Sequence, residues 1–431
     1  MTVLALDVGY GTIRSSVLDV TAARPVGSTE QVEYVIDQPK PEASEVPADR
    51  LWSAVTSAAR AVALPEEGIE GVGLSVLTPA LVVLDEKDQP AAPIRLPQDR
   101  RARRAARQVQ ADVGGKFLAE AGNRPLPGGI SAVAFRQMVV DDPYLIREVH
   151  RYLHLNSWLA LRMTGQTAFD PANASLSGLF STMMTGQWSP RWCEYFEVDP
   201  AWLPPVTDGR ATVGTIRSAV AAELGVPAGI PLKLGTCQLY NAMIAAGTGL
   251  GDLYHYVGES QLLAAITDRP VADERRLVFR CGFGDGYVQA ACNPISGTAI
   301  HWLHALCFRE QSEQEFHERT IPQALERETR VTLDPPNLAD ECLELEARRA
   351  AFRDLTLETD RLDLLAALLG ELRRQFERAL AALHPSEPWR RVLLTGIDAA
   401  LVRQLIPGYA APNVQILDRD GLGGIARLFH E

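Results

Sequence analysis

The chain has 431 residues, of which 46% are hydrophobic and 22% charged; this composition excludes a largely disordered protein and predicts two or three domains. The 42 Lys and Arg residues stand against 54 Asp and Glu residues, and the net charge of −12 argues against a nucleic-acid-binding surface. The 6 cysteines form no CxxC pair, which argues against a disulfide framework and a structural zinc site.

The chain also lacks the signals of secretion and membrane insertion. No basic residue precedes the apolar run at the N-terminus, which Asp7 interrupts. No apolar run reaches the roughly eighteen residues that a membrane-spanning helix needs. We therefore expect a cytoplasmic protein with neither a membrane nor a nucleic acid as its partner.

The first elements alternate between strands and helices. The apolar run Val3–Leu6 ends at Asp7, and the apolar pattern resumes over Ile13–Val20. Because Gly9 and Gly11 form a turn between the two runs, the pattern predicts a β-hairpin. Periodicity then predicts helices and strands in alternation, which is typical of an α/β protein: helices Leu51–Val62, Arg100–Val113 and Tyr144–Met163, strands Gly71–Ser75 and Leu81–Leu84.

A second set of strands and helices begins after Val226–Pro231, a Pro- and Gly-rich segment that interrupts regular structure. A short strand starts at Leu232, and later a second strand–turn–strand pattern has Gly258, Glu259 and Ser260 as its turn. Two similar halves are therefore expected, residues 1–228 and 229–431. We expect the strands that start at Val3 and Leu232 to occupy equivalent places in the two halves.

Short, different motifs follow one another in a characteristic order along most of the chain. They are Leu6-Asp7-Val8-Gly9-Tyr10-Gly11-Thr12-Ile13-Arg14, Gly73-Leu74-Ser75, Leu81-Val82-Val83-Leu84-Asp85, Asp99 with Arg101, Leu161-Arg162-Met163-Thr164-Gly165, Asp170, Ala174-Ser175, Thr185-Gly186-Gln187-Trp188-Ser189, Leu203-Pro204-Pro205, Asn293, Ser296-Gly297-Thr298-Ala299, Trp302-Leu303 and Gly396. In order, spacing and residue type these segments resemble the FGGY carbohydrate kinases, sugar and polyol kinases of the actin-like ATPase superfamily.

The resemblance implies a fold, an activity and cofactors. It implies two actin-like (ribonuclease H-like) α/β domains with a cleft between them, an N-terminal sugar-binding domain and a C-terminal nucleotide-binding domain that is shortened at its end. The implied activity is ATP-dependent phosphorylation of a sugar or polyol hydroxyl, with a ketopentose as the expected substrate type. ATP and Mg²⁺ are the implied cofactors, and a homodimer is the expected assembly.

The resemblance also assigns roles to individual residues. Asp7 would face Mg²⁺ through water, and Arg14 would neutralise phosphate charge in the transition state. The other implied contacts are turn amides and hydroxyls for phosphate (Gly9, Gly11, Thr12, Gly258, Glu259, Ser260), the adenosine turn (Gly396) and the substrate (Thr78, Asp99, Arg101). Two alternatives stay open: the first loop as a plain hairpin, and Asp99 and Arg101 as a solvated helix N-terminus.

Several positions depart from the family pattern. The segment that starts at Gly235 aligns without a gap and places Gln238 where the family has its catalytic aspartate. A neutral amide orients a hydroxyl but cannot take its proton. Glu259 would repel phosphate unless it points away or binds the metal, and Ile397 and Asp398 replace glycines in the adenosine turn. The leading hypothesis is a carbohydrate kinase that works with a substitute base or a displaced carboxylate. The alternative is a catalytically inactive relative that serves as a metabolite sensor or partner subunit.

Overall fold

The computed structural model describes residues 1–257, 261–293, 297–334, 345, 350–383, 388–396, 402–403, 406, 413–417 and 421–430. The described strands are β1 Thr2–Val8, β2 Thr12–Asp19, β3 Arg24–Pro25, β4 Glu30–Glu33, β5 Glu45–Val46, β6 Val72–Val76, β7 Leu81–Leu84, β8 Ile94–Arg95, β9 Arg151–His154, β10 Thr212–Thr215, β11 Pro231–Cys237, β12 Asp252–Val257, β13 Gln261–Thr267, β14 Leu277–Arg280, β15 Tyr287–Asn293, β16 Thr332–Asp334, β17 Ala351–Arg353, β18 Arg391–Thr395 and β19 Val414–Ile416.

The described α-helices are α1 Ala48–Ala61, α2 Arg103–Ala121, α3 Ser131–Asp141, α4 Leu145–Glu148, α5 Leu155–Thr164, α6 Pro171–Ser175, α7 Pro190–Tyr195, α8 Ser218–Leu224, α9 Gln238–Ala245, α10 Gly297–Cys307, α11 Glu313–Glu315, α12 Ile321–Glu326, α13 Arg361–Ala382 and α14 Leu422–Ala426. A π-helical turn, Phe316–Thr320, joins α11 to α12, and Pro200–Trp202 and Arg427–Phe429 are 3₁₀ turns. Within the described residues, no helix is long and apolar enough to cross a membrane.

The first large sheet is built around the β1–β2 hairpin. β6 runs parallel to β1 and β11 parallel to β6, while β3 and β4 pair antiparallel with β2. The nearly continuous apolar sequence of β1 is explained by burial on both faces of this sheet. Leu4, Leu6 and Val8 face the core of α1 and α5, whereas Val3 and Ala5 pack against α14. Because side chains alternate along a strand, Asp7 lies on the α14 face.

The second large sheet repeats this arrangement. β12 and β13 form an antiparallel hairpin, β18 runs parallel to β12 and β19 parallel to β18, and β15 pairs antiparallel with β13. Each sheet therefore has a hairpin flanked by two parallel strands on one side and antiparallel partners on the other. Two α/β domains of the expected class are confirmed, whereas the division into residues 1–228 and 229–431 stays a prediction.

One detail of the predicted repeat is wrong. The strand that contains Leu232 is β11, which hydrogen-bonds to β6 within the first sheet, so it is no counterpart of β1. By its place in the second sheet, β12 is that counterpart. The predicted boundary between residues 228 and 229 thus precedes a strand of the first sheet, and we propose that the first domain extends through Cys237.

The helical prediction over Tyr144–Met163 is also corrected. The segment divides into α4, the strand β9 and α5. Arg151–His154 is extended because it pairs antiparallel with β7, a tertiary contact that helical periodicity does not reveal. His154 therefore ends a strand and precedes α5.

Helix α9 connects the two sheets. Tyr240 and Met243 of α9 pack with Tyr254 and Ala264 of the second sheet. The first residue of α9, Gln238, directly follows the first-sheet strand β11. The first turn of α9 therefore lies where the two domains meet.

Candidate active site

The candidate site lies at the carboxyl ends of three adjacent strands of the first sheet. Val8 of β1, Val76 of β6 and Cys237 of β11 are in register, with β6 parallel to both of its neighbours. The next residues in each chain segment leave the sheet at the same edge. Ligands of open α/β sheets bind outside the carboxyl ends of strands, so this edge is where binding residues are expected.

Asp7 and Gln238 are brought together at this edge. Asp7 is buried, and its Oδ2 accepts a hydrogen bond from Arg14 Nη2 at 2.6 Å. Its Oδ1 accepts from Gln238 Nε2 at 2.9 Å. Arg14 lies directly opposite Asp7 in the hairpin register, so the ion pair is a cross-strand pair. Both carboxylate oxygens of Asp7 are thus bonded to side chains of the chain itself.

The turn between β1 and β2 leaves room for the Gln238 amide. A Cβ on Gly9 would lie 3.1 Å from Gln238 Nε2. The Gly9 amide donates to Thr12 O at 2.9 Å, and the Tyr34 hydroxyl donates to Gly9 O at 2.5 Å. Gly11 has a φ of 72°, and Thr12 starts β2 opposite Glu33. The predicted hairpin is confirmed, and the Gly9 amide is already used within it.

A glycine at position 235 sets the path of β11 into α9. Its φ is 72°, and a Cβ there would lie 1.8 Å from Leu74 O. The β6–β11 register shifts between residues 233 and 236, which marks an irregularity at this glycine. The Gly235 amide donates to Gly209 O at 2.9 Å, and the Gly209 amide donates to Gly282 O, beyond β14, at 2.8 Å. Close backbone packing therefore joins the two domains beside the site.

Asp170 is the centre of a buried polar cluster behind the site. It is fully buried and caps α6, accepting from the backbone amides of Ala172 and Asn173. Its side chain also accepts from Thr236 Oγ1 at 2.7 Å, Asn156 Nδ2 at 2.9 Å and Asn173 Nδ2 at 2.6 Å. Burial raises the pKa of the Asp170 carboxyl, while these hydrogen bonds oppose the rise. Five donors saturate this carboxylate, so it acts as a structural anchor.

Thr78 extends this cluster to the strand edge. It lies just beyond the end of β6 and is half-buried. Its Oγ1 donates to Asn173 Oδ1 at 2.5 Å. No motif of the sequence marks Asn173 directly; the only signal near it is the helix start that Asp170 followed by Pro171 indicates.

Asp99 and Arg101 lie in a second, largely buried charge cluster. Asp99 accepts from the Ser44 amide at 3.0 Å and from Arg95 Nη1 at 3.3 Å, and it is bonded to Arg101. Arg101 also pairs with Glu45. The alternative of a solvated helix N-terminus is wrong, because Asp99 is 3% exposed and α2 begins only at Arg103. Their contact with a sugar stays a prediction.

An open groove of about 400 Å³ lies between this cluster and the first turn. Its wall includes Tyr10, Gln98 and the segment 38–44. The Tyr10 hydroxyl lies 3.1 Å from Ser44 Oγ. Tyr10 therefore links the turn of the β1–β2 hairpin to the loop that carries the Asp99 contact.

The remaining predicted nucleotide residues give less information. Gly258, Glu259, Ser260, Ile397 and Asp398 lie outside the described residues. Gly396 has a φ of 105°, and a Cβ there would lie 1.9 Å from Val257 O. Packing against β12 therefore explains this glycine without a nucleotide.

Residues 2–243 match the N-terminal domain of the FGGY family of carbohydrate kinases, which is more than half of the chain. The chain belongs to this family. The FGGY resemblance drawn from the motifs is therefore confirmed.

Curated relatives of this FGGY chain are distant. The L-xylulose/3-keto-L-gulonate kinase of Escherichia coli is 26% identical over 57% of this chain and 50% of its own length. The xylulose kinase of Streptomyces rubiginosus is 25% identical over 70% of this chain and 62% of its own length. YoaC of Bacillus subtilis is 23% identical over 75% of this chain and 66% of its own length. The chain thus spans between half and two thirds of the length of these relatives.

Solved structures share the fold over almost the whole chain. A ligand-bound xylulose kinase from Lactobacillus acidophilus superposes with a TM-score of 0.87 at 15% identity, covering 99% of this chain and 88% of that one. The glycerol kinase of Plasmodium falciparum with ADP superposes with a TM-score of 0.81 at 16% identity, with the same coverage of both chains. These structures establish the two-domain fold of sugar kinases for this chain.

The FGGY family normally uses ATP and Mg²⁺. Within the described part of this chain, no three His, Cys, Asp or Glu side chains group around a common point that could hold a metal ion. Asp7, the implied Mg²⁺ contact, has one oxygen on Arg14 and the other on Gln238. Donors of the chain itself therefore occupy both oxygens of Asp7, which does not fit the Mg²⁺ contact that the resemblance implies.

Proposed function

We propose that this FGGY chain binds a sugar or polyol between its domains and has lost rapid phosphoryl transfer, so that it serves as a metabolite sensor or partner subunit. The observation that supports the proposal is the hydrogen bond from Gln238 Nε2 to Asp7 Oδ1. It places an amide on the carboxylate that the family resemblance assigns to Mg²⁺. By the ungapped alignment, the same amide stands where the family has its general base.

A neutral amide cannot replace a carboxylate in this role. A kinase must remove the proton of the attacking hydroxyl, and the Gln side chain has no accessible protonation equilibrium at neutral pH. Loss of a general base typically costs about 10²–10⁴-fold in rate. Gln238 could still orient a sugar hydroxyl by hydrogen bonding.

Neighbouring carboxylates are poor substitutes. Asp170 is fully buried and saturated by donors, and Asp7 is paired with Arg14. Asp208, beside the Gly209 junction, accepts from Arg210 and from the Gly284 amide. Although partial burial opposes it, these bonds lower the pKa of Asp208 and weaken it as a base. None of the three described carboxylates is poised to accept a proton.

A second function, ATP-dependent phosphorylation of a ketopentose or polyol, is supported by the family and by relatives named as xylulose kinases. In that case the first domain would bind sugar, the second would bind nucleotide, and a carboxylate would replace the missing base. A homodimer and a cytoplasmic location remain expectations under either function.

Calorimetric titration of the full chain separates the two functions. We expect binding of at least one of xylitol, D-xylulose and glycerol. No detectable binding of MgATP at millimolar concentration would exclude the kinase function, whereas MgATP binding together with sugar phosphorylation at an ordinary rate of about 10 s⁻¹ would overturn the proposed loss of phosphoryl transfer. Absence of binding to every sugar and polyol would overturn the proposed carbohydrate site.

A further inference from the structure

A buried chain of hydrogen bonds ends at Thr78. The Tyr152 hydroxyl donates to Ser131 Oγ at 2.6 Å, and Ser131 Oγ lies 2.7 Å from His154 Nε2. His154 Nδ1 lies 3.1 Å from Asn173 Oδ1, which also accepts from Thr78 Oγ1. Of these residues only Thr78 is half-buried; the others are nearly or fully buried.

The direction of each bond in this chain follows from its neighbours. Asn173 Nδ2 donates to Asp170 Oδ2, which turns Asn173 Oδ1 toward His154 and Thr78. An amide oxygen only accepts, so His154 Nδ1 must carry a proton. Burial lowers the pKa of His154 to about 3, and the neutral ring has one N–H. His154 Nε2 is therefore the acceptor for Ser131.

The hydroxyl of Thr78 also has a defined direction. A threonine hydroxyl has one hydrogen to donate and two lone pairs that accept. Its hydrogen is committed to Asn173 Oδ1, and among the described residues no donor to Thr78 Oγ1 is present. Toward the strand edge, Thr78 Oγ1 can therefore only accept a further hydrogen bond.

Thr78 stands beside the candidate site. It leaves β6 at the edge where Gln238 leaves the adjacent β11. The bond from Thr236 Oγ1 to Asp170 ties β11 to the residues that hold Thr78. The orientation of Thr78 is thus fixed from both strands by groups that do not face the cleft.

We infer that Thr78 selects a hydroxyl of the sugar or polyol, and discriminates against a keto, carboxylate or phosphate oxygen, at the position that it contacts; this inference rests on the proposed carbohydrate site. A hydroxyl can donate to Thr78 Oγ1, whereas an oxygen that only accepts would face lone pairs with no hydrogen between them. Asn173 and His154 act as positioning residues, since they determine which way the Thr78 hydrogen points.

The tautomer of His154 tests the chain of bonds without any ligand. Nitrogen NMR of the full chain labelled with ¹⁵N-histidine should show the His154 ring as the neutral Nδ1–H tautomer down to pH 5. The signals of His154 are assigned by their loss in His154→Gln. The Nε2–H tautomer would reverse the chain, free the Thr78 hydrogen and overturn the inference while leaving the proposed function intact.

Binding of substrate analogues tests the selectivity. The tightest binder among xylitol, D-xylulose and glycerol is compared with its deoxy and deoxyfluoro analogues at each carbon, in wild type, Thr78→Val and the control Thr78→Ser. At one carbon both analogues should bind wild type and Thr78→Ser about tenfold more weakly than the parent, since fluorine accepts but cannot donate. This difference should disappear in Thr78→Val.

Two results separate the possible failures. If the deoxyfluoro analogues bind as well as the parent, or if Thr78→Val keeps the wild-type pattern, the inference is wrong although a sugar binds. If wild type binds none of the three parent compounds, the proposed carbohydrate site is wrong, and the selectivity of Thr78 falls with it.

Discussion

Gln238 Nε2 lies 2.9 Å from Asp7 Oδ1, although 231 positions separate the two residues in the sequence. The contact exists because β1 and β11 flank β6 and end in register at the same sheet edge. Arg14 completes the arrangement from the neighbouring strand β2. The Asp7 carboxylate is therefore paired with the Arg14 cation and hydrogen-bonded by the Gln238 amide within the chain itself.

Gln238→Asp should raise phosphoryl transfer to a sugar. The substitution supplies a carboxylate where the ungapped alignment places the family's base, and a base contributes about 10²–10⁴-fold in rate. Gln238→Asn is the matched control, because it shortens the side chain equally and keeps the amide. Because the resemblance places Glu259 in the second phosphate loop, we expect Gln238→Asp with Glu259→Thr to be faster than the single variant in a coupled assay of ADP release. Equal rates for Gln238→Asp and Gln238→Asn would show that position 238 is not the place of the base.

Gly235→Ala should destabilise the protein far more than Gly229→Ala. Both glycines have positive φ angles, 72° and 81°, so both variants carry the cost of about 1 kcal/mol for a left-handed non-glycine residue. A Cβ at 235 would additionally lie 1.8 Å from Leu74 O, whereas nothing lies within 4 Å of one at 229.

Urea unfolding of the purified full chain measures this difference. We expect Gly235→Ala to lose at least about 3 kcal/mol more than Gly229→Ala, because backbone atoms must shift to admit the methyl group. Similar losses in the two variants would mean that β11 can move away from β6 at little cost.

Asp252 should make the folded state sensitive to acid. Its buried carboxylate pairs with Arg390 at 2.9 Å and with Arg391. Although burial opposes it, the hydrogen bonds from Arg391 and Arg390 lower the pKa of Asp252 to about 2. A pKa that folding depresses contributes stability that is present above the unfolded value of about 4 and is lost as the pH falls toward 2.

The free energy of unfolding in urea, measured between pH 5 and pH 2, tests this linkage. Asp252→Asn should flatten the pH dependence by roughly 2–3 kcal/mol. Asp334→Asn is the control, since Asp334 and Arg353 form an exposed pair at 2.8 Å that screening weakens. An unchanged slope in Asp252→Asn would contradict the assigned role of this ion pair.

Asn123 should couple the two domains. Its Nδ2 donates to Val278 O at 2.7 Å, and its Oδ1 accepts from the Val278 amide at 2.9 Å, so it pairs with the edge strand β14 as another strand would. Asn123→Ala would leave two buried backbone groups without a partner, a loss of roughly 2–5 kcal/mol.

Calorimetric unfolding should show the consequence of Asn123→Ala as a lower midpoint, with the two domains unfolding less cooperatively. Gln137→Ala serves as the control, because the Gln137 amide bonds an exposed Asp141 one helical turn away. A midpoint equal to that of wild type would show that the β14 edge does not depend on Asn123.

The sequence predicted those features that local pattern determines. Apolar runs, turn glycines and motif order revealed both hairpins and the family, because strand alternation and turn chemistry are written into short segments. The predicted place of β11 is wrong. The Pro- and Gly-rich segment before this strand suggests the start of a new domain, and its hydrogen-bonding partner β6 is remote in sequence. His154 and Asn173 were missed for a similar reason: β9 is extended only because it pairs with β7.

The central claim is tested most directly by steady-state turnover of the wild-type chain with MgATP across a panel of pentuloses and polyols. Because Gln238 bonds Asp7 and cannot take a proton, we expect a turnover at least about a hundredfold below the ordinary enzyme rate of about 10 s⁻¹. Turnover near 10 s⁻¹ with any of these substrates would contradict the account and show that another carboxylate serves as the base.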